Sequence, residues 1–242
     1  MRVPRIFTSQ RLSSKAVIAL DPQSSRHLAR VLRKKVGDAV IVFDGEGGEY
    51  QATIEDVDKQ RVVVQATQWM QDDLEAPLAI HLGIGLSRGE RMDLVMQKAT
   101  ELGVREITPL FTERSEVKLR DSRAEKKRLH WRQVTISACE QSGRNRIPVV
   151  HPSCSLAQWV DTTGADCKLV LHHRATEQAE LPPPQSIALL VGPEGGLSPT
   201  EIKHAEDAGF LALKLGPRVL RTETAPLAAI AILQARWGDM AF

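Results

Sequence analysis

From Leu78 onward the sequence alternates short apolar runs with helix-like stretches, and that alternation leaves few folds open. Leu78–Leu82, Glu106–Phe111, Lys168–Leu171 and Ile187–Val191 read as strands, the last two with the unbroken apolar character of parallel strands buried on both faces. Glu90–Leu102, closed by Gly103, and roughly 124–141 read as helices. The pattern predicts an α/β domain built on a mostly parallel sheet. Its next helix has clear start chemistry: Ser198 as N-cap, Pro199 in the first helical position and Glu201 completing a capping box, with Gly209 at the far end. A short strand, Leu211–Leu215, follows. The last helix begins near Thr224 or Ala225, with Pro226 in its first turn. Its segment Leu227–Leu233 is apolar on every face, which predicts burial all round. Its small alanines permit close packing against the sheet or a second subunit.

The first seventy residues keep a different rhythm. Ala39–Asp44, Glu49–Glu55 and Arg61–Ala66 are strand-like, and Gly45-Glu46-Gly47-Gly48 is a hairpin signal. With a single helix over Ser24–Arg33, they fit a small β-barrel. On that helix Leu28, Val31 and Leu32 share one face. Arg26, Arg30 and Arg33 share the other, with His27 beside them, as a basic ridge suited to a phosphate backbone. The polar, acidic stretch Gln71–Pro77 is the expected boundary, giving domains 1–71 and 72–242.

Charge is segregated along the chain. Residues 1–35 carry nine Lys/Arg and one acid, residues 36–70 two and seven, residues 114–146 ten and four. Such blocks suit a polyanion better than a small neutral substrate. No apolar run is long enough to span a membrane, and the N-terminus lacks the apolar core of a signal peptide. Three cysteines without C-x-x-C spacing predict neither a disulfide framework nor a zinc site, and a cytoplasmic protein with reduced thiols. His172-His173 has no cysteine or acid at ligand spacing, so no metal is expected.

Two glycine-rich segments compete as ligand sites. Gly83-Ile84-Gly85-Leu86-Ser87-Arg88-Gly89 is a loose variant of the dinucleotide fingerprint, with Glu113 as its ribose acid, and would suit a nucleotide-dependent oxidoreductase. The other is a pair, Gly192–Gly196 and 216–225, each placed as strand, Gly-Pro break, polar cluster and helix. Backbone N–H groups in such turns bond the edge of a flat heterocycle or a carboxylate. No P-loop lysine follows, which excludes a triphosphate cradle. Arg218 and Arg221 supply charge, and Thr222, Glu223 and Thr224 supply hydroxyls and a carboxylate.

The pair Val191-Gly192-Pro193-Glu194-Gly195-Gly196 and Leu215-Gly216-Pro217-Arg218-Val219-Leu220-Arg221-Thr222-Glu223-Thr224-Ala225 closely resembles the C-terminal motifs of the ribosomal RNA small subunit methyltransferase E family, of the SPOUT class. The resemblance covers nearly the whole chain. It runs through His27–Arg33, Ser87-Arg88-Gly89-Glu90, Gln97–Gly103, Ile107–Leu110 and Ala138–Arg146 in the family's order, with no departure at the motif positions.

The resemblance implies a PUA-like N-terminal barrel, a SPOUT domain with a C-terminal trefoil knot, and a homodimer. It implies S-adenosyl-L-methionine as methyl donor and N3 of a uridine in 16S rRNA of the small ribosomal subunit as acceptor. Carried onto this chain, the cofactor pocket uses Leu171, His172, Val191, Gly192, Glu194, Gly195, Gly196, Leu215, Gly216, Leu220, Arg221, Thr222, Thr224 and Ala225. RNA contacts are expected from Arg2, Arg5, Arg26, His27, Arg30, Arg33, Arg88, Arg144, Asn145 and Arg146. Uracil N3 carries a proton that must leave, so Glu223 is a candidate base and Arg221 or Arg144 a candidate anion stabiliser. The remaining rival is an RNA-binding or ribosome-assembly protein without transferase activity.

Overall fold

The computed structural model describes residues 3–58, 61–71, 73–115, 121–172 and 182–240. The chain forms two compact units, Met1–Glu75 with Cys139–Ile147, and Ala76–Ala138 with Pro148–Phe242.

The first unit is one five-stranded sheet. Its strands are β1 (Arg5–Phe7), β2 (Val17–Ala19), β3 (Ala39–Phe43), β4 (Glu49–Val57) and β5 (Val62–Met70), in the order β1-β3-β4-β5-β2. β1 and β3 run parallel, and the other pairs antiparallel. Alternate residues turn inward, so Ile6, Ile18, Val40, Val42, Ile54, Val62 and Val64 form the core with Leu28. The glycine turn between β3 and β4 is fixed sterically: Gly48 has φ +69, and a Cβ there would run into the Trp69 indole.

The expected helix Ser24–Arg33 is corrected in two places. The α-helix α1 (Pro22–Arg26), capped by Asp21 accepting Gln23 N at 2.8 Å, gives way to a π-helical turn His27–Val31, where Leu32 N bonds His27 O at 3.0 Å. The wider turn breaks the 3.6-residue register. Arg33 lies beyond it with φ +52. Leu28 alone of the three expected core residues is buried, while Val31 and Leu32 are exposed. Arg26, His27, Arg30 and Arg33 are all solvent-exposed, but not as one straight helical row.

The first unit also buries charge. Arg5 pairs with Glu49 and donates to the Arg144 carbonyl at 3.1 Å and to Asn145 Oδ1. Arg144 forks onto Glu75, Nε to Oε1 at 2.8 Å and Nη2 to Oε2 at 2.6 Å. Arg5, Arg144 and Asn145 were expected at RNA, yet Arg144 is 3% exposed and Asn145 fully buried. Buried against these internal partners, the three side chains are corrected as surface RNA contacts. Cys139 is buried beside them, and desolvation pushes its thiol up to about 12, the state of a packing residue rather than a nucleophile.

The second unit carries β6 (Ala79–Gly85), α2 (Glu90–Glu101), β7 (Glu106–Phe111), α3 (Asp121–Ser142), β8 (Val149–Val150), β9 (Cys154–Ser155), α4 (Leu156–Thr162), β10 (Cys167–Leu171), β11 (Ser186–Val191), α5 (Pro199–Asp207), β12 (Leu211–Leu213) and α6 (Thr224–Trp237). Its sheet runs β12-β10-β11-β6-β7-β8, with β9 also on β7, and every pairing is parallel. An all-parallel α/β unit thus follows a small sheet unit, the architecture that the resemblance implied. The β6 residues Ile80, Leu82 and Ile84 meet Ile107, Leu169, Ile187 and Leu189 in the core.

Two expectations fail in this unit. α6 buries only Pro226, Ala229, Ile230, Leu233 and Gln234, while Ile232 on its other side is 51% exposed. Uniform apolarity shows that a helix can be buried on any face, not which face is. Gly83 and Gly85, the first two glycines of the dinucleotide-like segment, lie inside β6. Gly83 pairs with Thr108 and Leu190, and Gly85 with Leu110. A Cβ at Gly83 would stand 2.7 Å from the Trp159 ring, and one at Gly85 2.5 Å from Pro193 N. These glycines serve close packing, so the oxidoreductase reading loses its loop.

Candidate functional site

The carboxyl ends of β10, β11 and β12 converge on a cleft of about 660 Å³. Ligands of parallel α/β sheets sit at such ends because the loops there lie above the strands and face the helix N-termini. The first wall is the turn after β11. Gly196 takes φ +68 and its N–H closes on Pro193 O at 2.8 Å, which folds the turn back beneath α5. Ser198 then caps α5: its Oγ accepts Glu201 N at 3.1 Å, and Glu201 Oε2 accepts Ser198 N at 2.8 Å, the expected capping box. The second wall follows β12. His172 N donates to Leu213 O at 3.1 Å, holding the end of β10 to β12. Arg221 O accepts both Thr224 N and Ala225 N at 2.9 Å, which starts α6.

Of the fourteen residues assigned to the cofactor by resemblance, twelve line this cleft: Leu171, His172, Val191, Gly192, Glu194, Gly195, Gly196, Leu215, Gly216, Leu220, Thr222 and Ala225. Arg221 and Thr224 do not line it, and both are exposed. Arg114 was missed. It reaches the first wall from beyond β7, its Nη1 donating to Gly195 O at 3.0 Å and Leu197 O at 3.4 Å. Its position at the carboxyl end of a parallel strand was the available signal.

Arg91 was also missed, and no pattern in the sequence marks it. Its Nη1 lies 2.8 Å from Glu194 Oε1 and its Nε 3.8 Å from Glu223 Oε2, so one cation spans both loops. Burial opposes ionisation of Glu194. Bonds from its own backbone, from Arg91 and from Arg88 N outweigh that and hold the carboxyl below the usual range. Glu223 faces a second cleft, also about 660 Å³, between α2 and α3, lined by Arg91, Asp93, Gln97, His130 and Gln133. It therefore stands where the loop that lines the first cleft meets the second.

The remaining expected residues are dispersed. Arg144 is 3% exposed with its guanidinium bound to Glu75, which corrects its expected role as anion stabiliser along with its RNA contact. Arg88 is exposed at the start of α2, and Arg146 is exposed with Nε 3.1 Å from Asp73. Arg2 lies outside the described residues.

The chain matches the RNA methyltransferase domain family over residues 74–234 and the RNA methyltransferase PUA domain family over residues 20–67. A ribosomal RNA small subunit methyltransferase E from Buchnera aphidicola is 37% identical over 99% of this chain and 98% of its own length. One from Bacillus subtilis is 31% identical over 94% and 93%. A crystal structure of the Neisseria gonorrhoeae ribosomal RNA small subunit methyltransferase E, bound to S-adenosyl methionine, superposes with a TM-score of 0.93 at 38% identity, covering 99% of this chain and all of that one. A Legionella pneumophila structure in complex with the cofactor SAM superposes at 0.94 with 42% identity, over 99% and 100%.

Proposed function

The chain belongs to the ribosomal RNA small subunit methyltransferase E family, and from that premise we propose that it methylates N3 of a uridine in 16S rRNA. It is an S-adenosylmethionine-dependent methyltransferase of small-subunit rRNA. The observation that carries the reading is the convergence of twelve assigned residues from three separate segments on one cleft.

The cleft fits the donor by its own chemistry. Gly192, Gly195 and Gly196 offer backbone without side-chain obstruction, and Leu171, Val191, Leu215 and Leu220 supply apolar walls for a flat heterocycle. S-adenosylmethionine bound there supplies a methyl group on a sulfonium, so transfer is a direct displacement and the protein's work is alignment and proton removal. Arg91 fixes the spacing of the two loops through Glu194 and Glu223. Glu223 takes the N3 proton, and Arg221 balances the charge that develops on the uracil oxygens. Methyl transfer from labelled donor to small subunits lacking the modification, with the product base identified, tests the reading. Retained RNA binding without transfer would instead favour an assembly protein.

Gly85 sets the first loop from below. Gly85→Ala should weaken S-adenosylmethionine binding about ten- to hundredfold, since overpacking costs about 1–3 kcal/mol and the new Cβ meets loop backbone. The added methyl would fall 2.5 Å from Pro193 N and 3.0 Å from Gly192 C. Gly164→Ala, with open space at its Cβ, is the neutral control. Calorimetric titration of both variants decides the matter, and equal affinities would remove Gly85 from this role.

RNA binding is assigned to the exposed Arg26, His27, Arg30 and Arg33 of the first unit, with Arg88 and Arg146. Arg30→Glu with Arg33→Glu should weaken RNA binding at least tenfold and flatten its salt dependence by about two units of log–log slope, with cofactor affinity unchanged. An unaltered salt slope would show that the phosphates lie elsewhere. The homodimer and trefoil knot belong to the same reading. The exposed Ile232 beside partly buried Ala228 and Ala231 gives α6 an apolar outer side for a second subunit. No helix among the described residues is long and apolar enough to cross a membrane, and a ribosomal substrate supports the cytoplasmic reading.

A further inference from the structure

The amino ends of β6 and β7, with the residue that follows the two-residue β8, bring together three side chains that methyl transfer does not use. His81 is the third residue of β6, Glu106 the first of β7, and His151 directly follows β8. Parallel register sets His81 beside Glu106 and Glu106 beside Val149, and His151 N bonds Ile107 O at 2.9 Å. One ligand atom from each of the three lies within 4.8 Å of the others. His151 Nε2 is 2.7 Å and His81 Nδ1 4.0 Å from the same Glu106 oxygen.

We propose that His81, Glu106 and His151 form a zinc-binding site, with its fourth position open to water. Two imidazoles and one carboxylate suit zinc rather than calcium or magnesium, which favour all-oxygen sets. Zinc bonds of about 2.0–2.2 Å in a tetrahedral array put ligand atoms roughly 3.3–3.6 Å apart. The short His151–Glu106 gap must open and the long His81–Glu106 gap must close, each by less than about an ångström on that geometry. Glu106 and His151 have the freedom to do so, with side chains 45% and 35% exposed.

Neighbouring groups set the tautomer of His81. Its Nε2 is 2.8 Å from Thr108 Oγ1, and a proton on Nε2 donated to this hydroxyl leaves the Nδ1 lone pair for a metal. The Trp159 indole N–H also points at Nε2, at 3.2 Å, and an indole can only donate. Without metal, His81 therefore holds its proton on Nδ1, and zinc binding exchanges one tautomer and partner for the other. The site lies at the strand ends away from the cofactor cleft, so it ties three strands rather than joining the transfer. The sequence hid it because its members are far apart in the chain and fit no ligand spacing.

The test uses full-length protein treated with chelator, dialysed, and titrated with zinc by calorimetry. One equivalent should bind, and His151→Ala and Glu106→Gln should each weaken binding at least tenfold. Both positions are partly exposed, so these variants keep the fold, and thermal melts check it; zinc near the wild-type dissociation constant should raise the wild-type melting temperature and raise that of the variants clearly less. S-adenosylmethionine affinity, measured alongside, should be the same in all three proteins. Absence of stoichiometric zinc binding, or a loss below tenfold in either variant, overturns the assignment.

Discussion

Arg144→Ala should destabilise the first unit by about 3–5 kcal/mol, because removing one member of a buried ion pair strands the other. The stranded group is Glu75, whose side chain is 9% exposed and whose two oxygens receive Arg144 Nε and Nη2. Alanine supplies neither charge nor donor, and water has little access. The pair itself need not be worth so much: Glu75→Leu combined with Arg144→Met should recover most of the loss, since apolar residues of similar volume replace buried pairs at little cost. Arg146→Ala is the contrast. Its side chain is 52% exposed against Asp73, and a surface pair is worth about 0–1 kcal/mol. Denaturant unfolding of the four proteins gives the comparison. If Arg144→Ala unfolded like wild type but lost RNA affinity, the RNA contact expected of it would be restored.

Arg144 also shows where sequence reading stops. Charge is visible in a sequence and burial is not, so Arg144, Asn145 and Arg5 looked like RNA ligands. Their partners Glu75 and Glu49 lie far away along the chain, and only the return of Cys139–Ile147 to the first unit joins them. The π-helical turn at His27–Val31 was hidden for a related reason, since its hydrogen bonds reach one residue further than local propensity favours. The cofactor cleft was legible because its chemistry is local. A glycine with positive φ, a proline in the turn and a capping box within ten residues leave a readable trace at Gly192–Glu201. Arg91 left none and Arg114 only its place beyond a strand end, because each acts on the loops through space from another strand or helix. The alternation that predicted a parallel sheet held for the strands themselves, while β8 and β9, two residues each, were too short to carry a period.

Glu223→Gln should lower the methyl-transfer rate by about 10²–10⁴-fold, the usual contribution of a positioned proton acceptor, with S-adenosylmethionine affinity nearly unchanged. Uracil N3 is no nucleophile while protonated, and Glu223 is the carboxylate that both follows the cofactor loop and faces the second cleft. The rival account makes Glu223 only a counter-ion, since Arg91 Nε lies 3.8 Å from it and bridges to Glu194. The two accounts part on pH. If Glu223 removes the proton, the Gln variant depends on uracil that has ionised in solution, and its rate should climb about tenfold per pH unit while the N3 proton is mostly bound, closing on wild type. If Glu223 only fixes Arg91, alkaline solution restores nothing, and Arg91→Met should reproduce the defect chiefly as weaker cofactor binding. Arg221→Ala completes the set. Its side chain is exposed and outside the cofactor cleft, so a loss of rate without loss of cofactor affinity would place it at the uracil anion. Near-normal turnover would leave Arg221 only its carbonyl, the acceptor that starts α6.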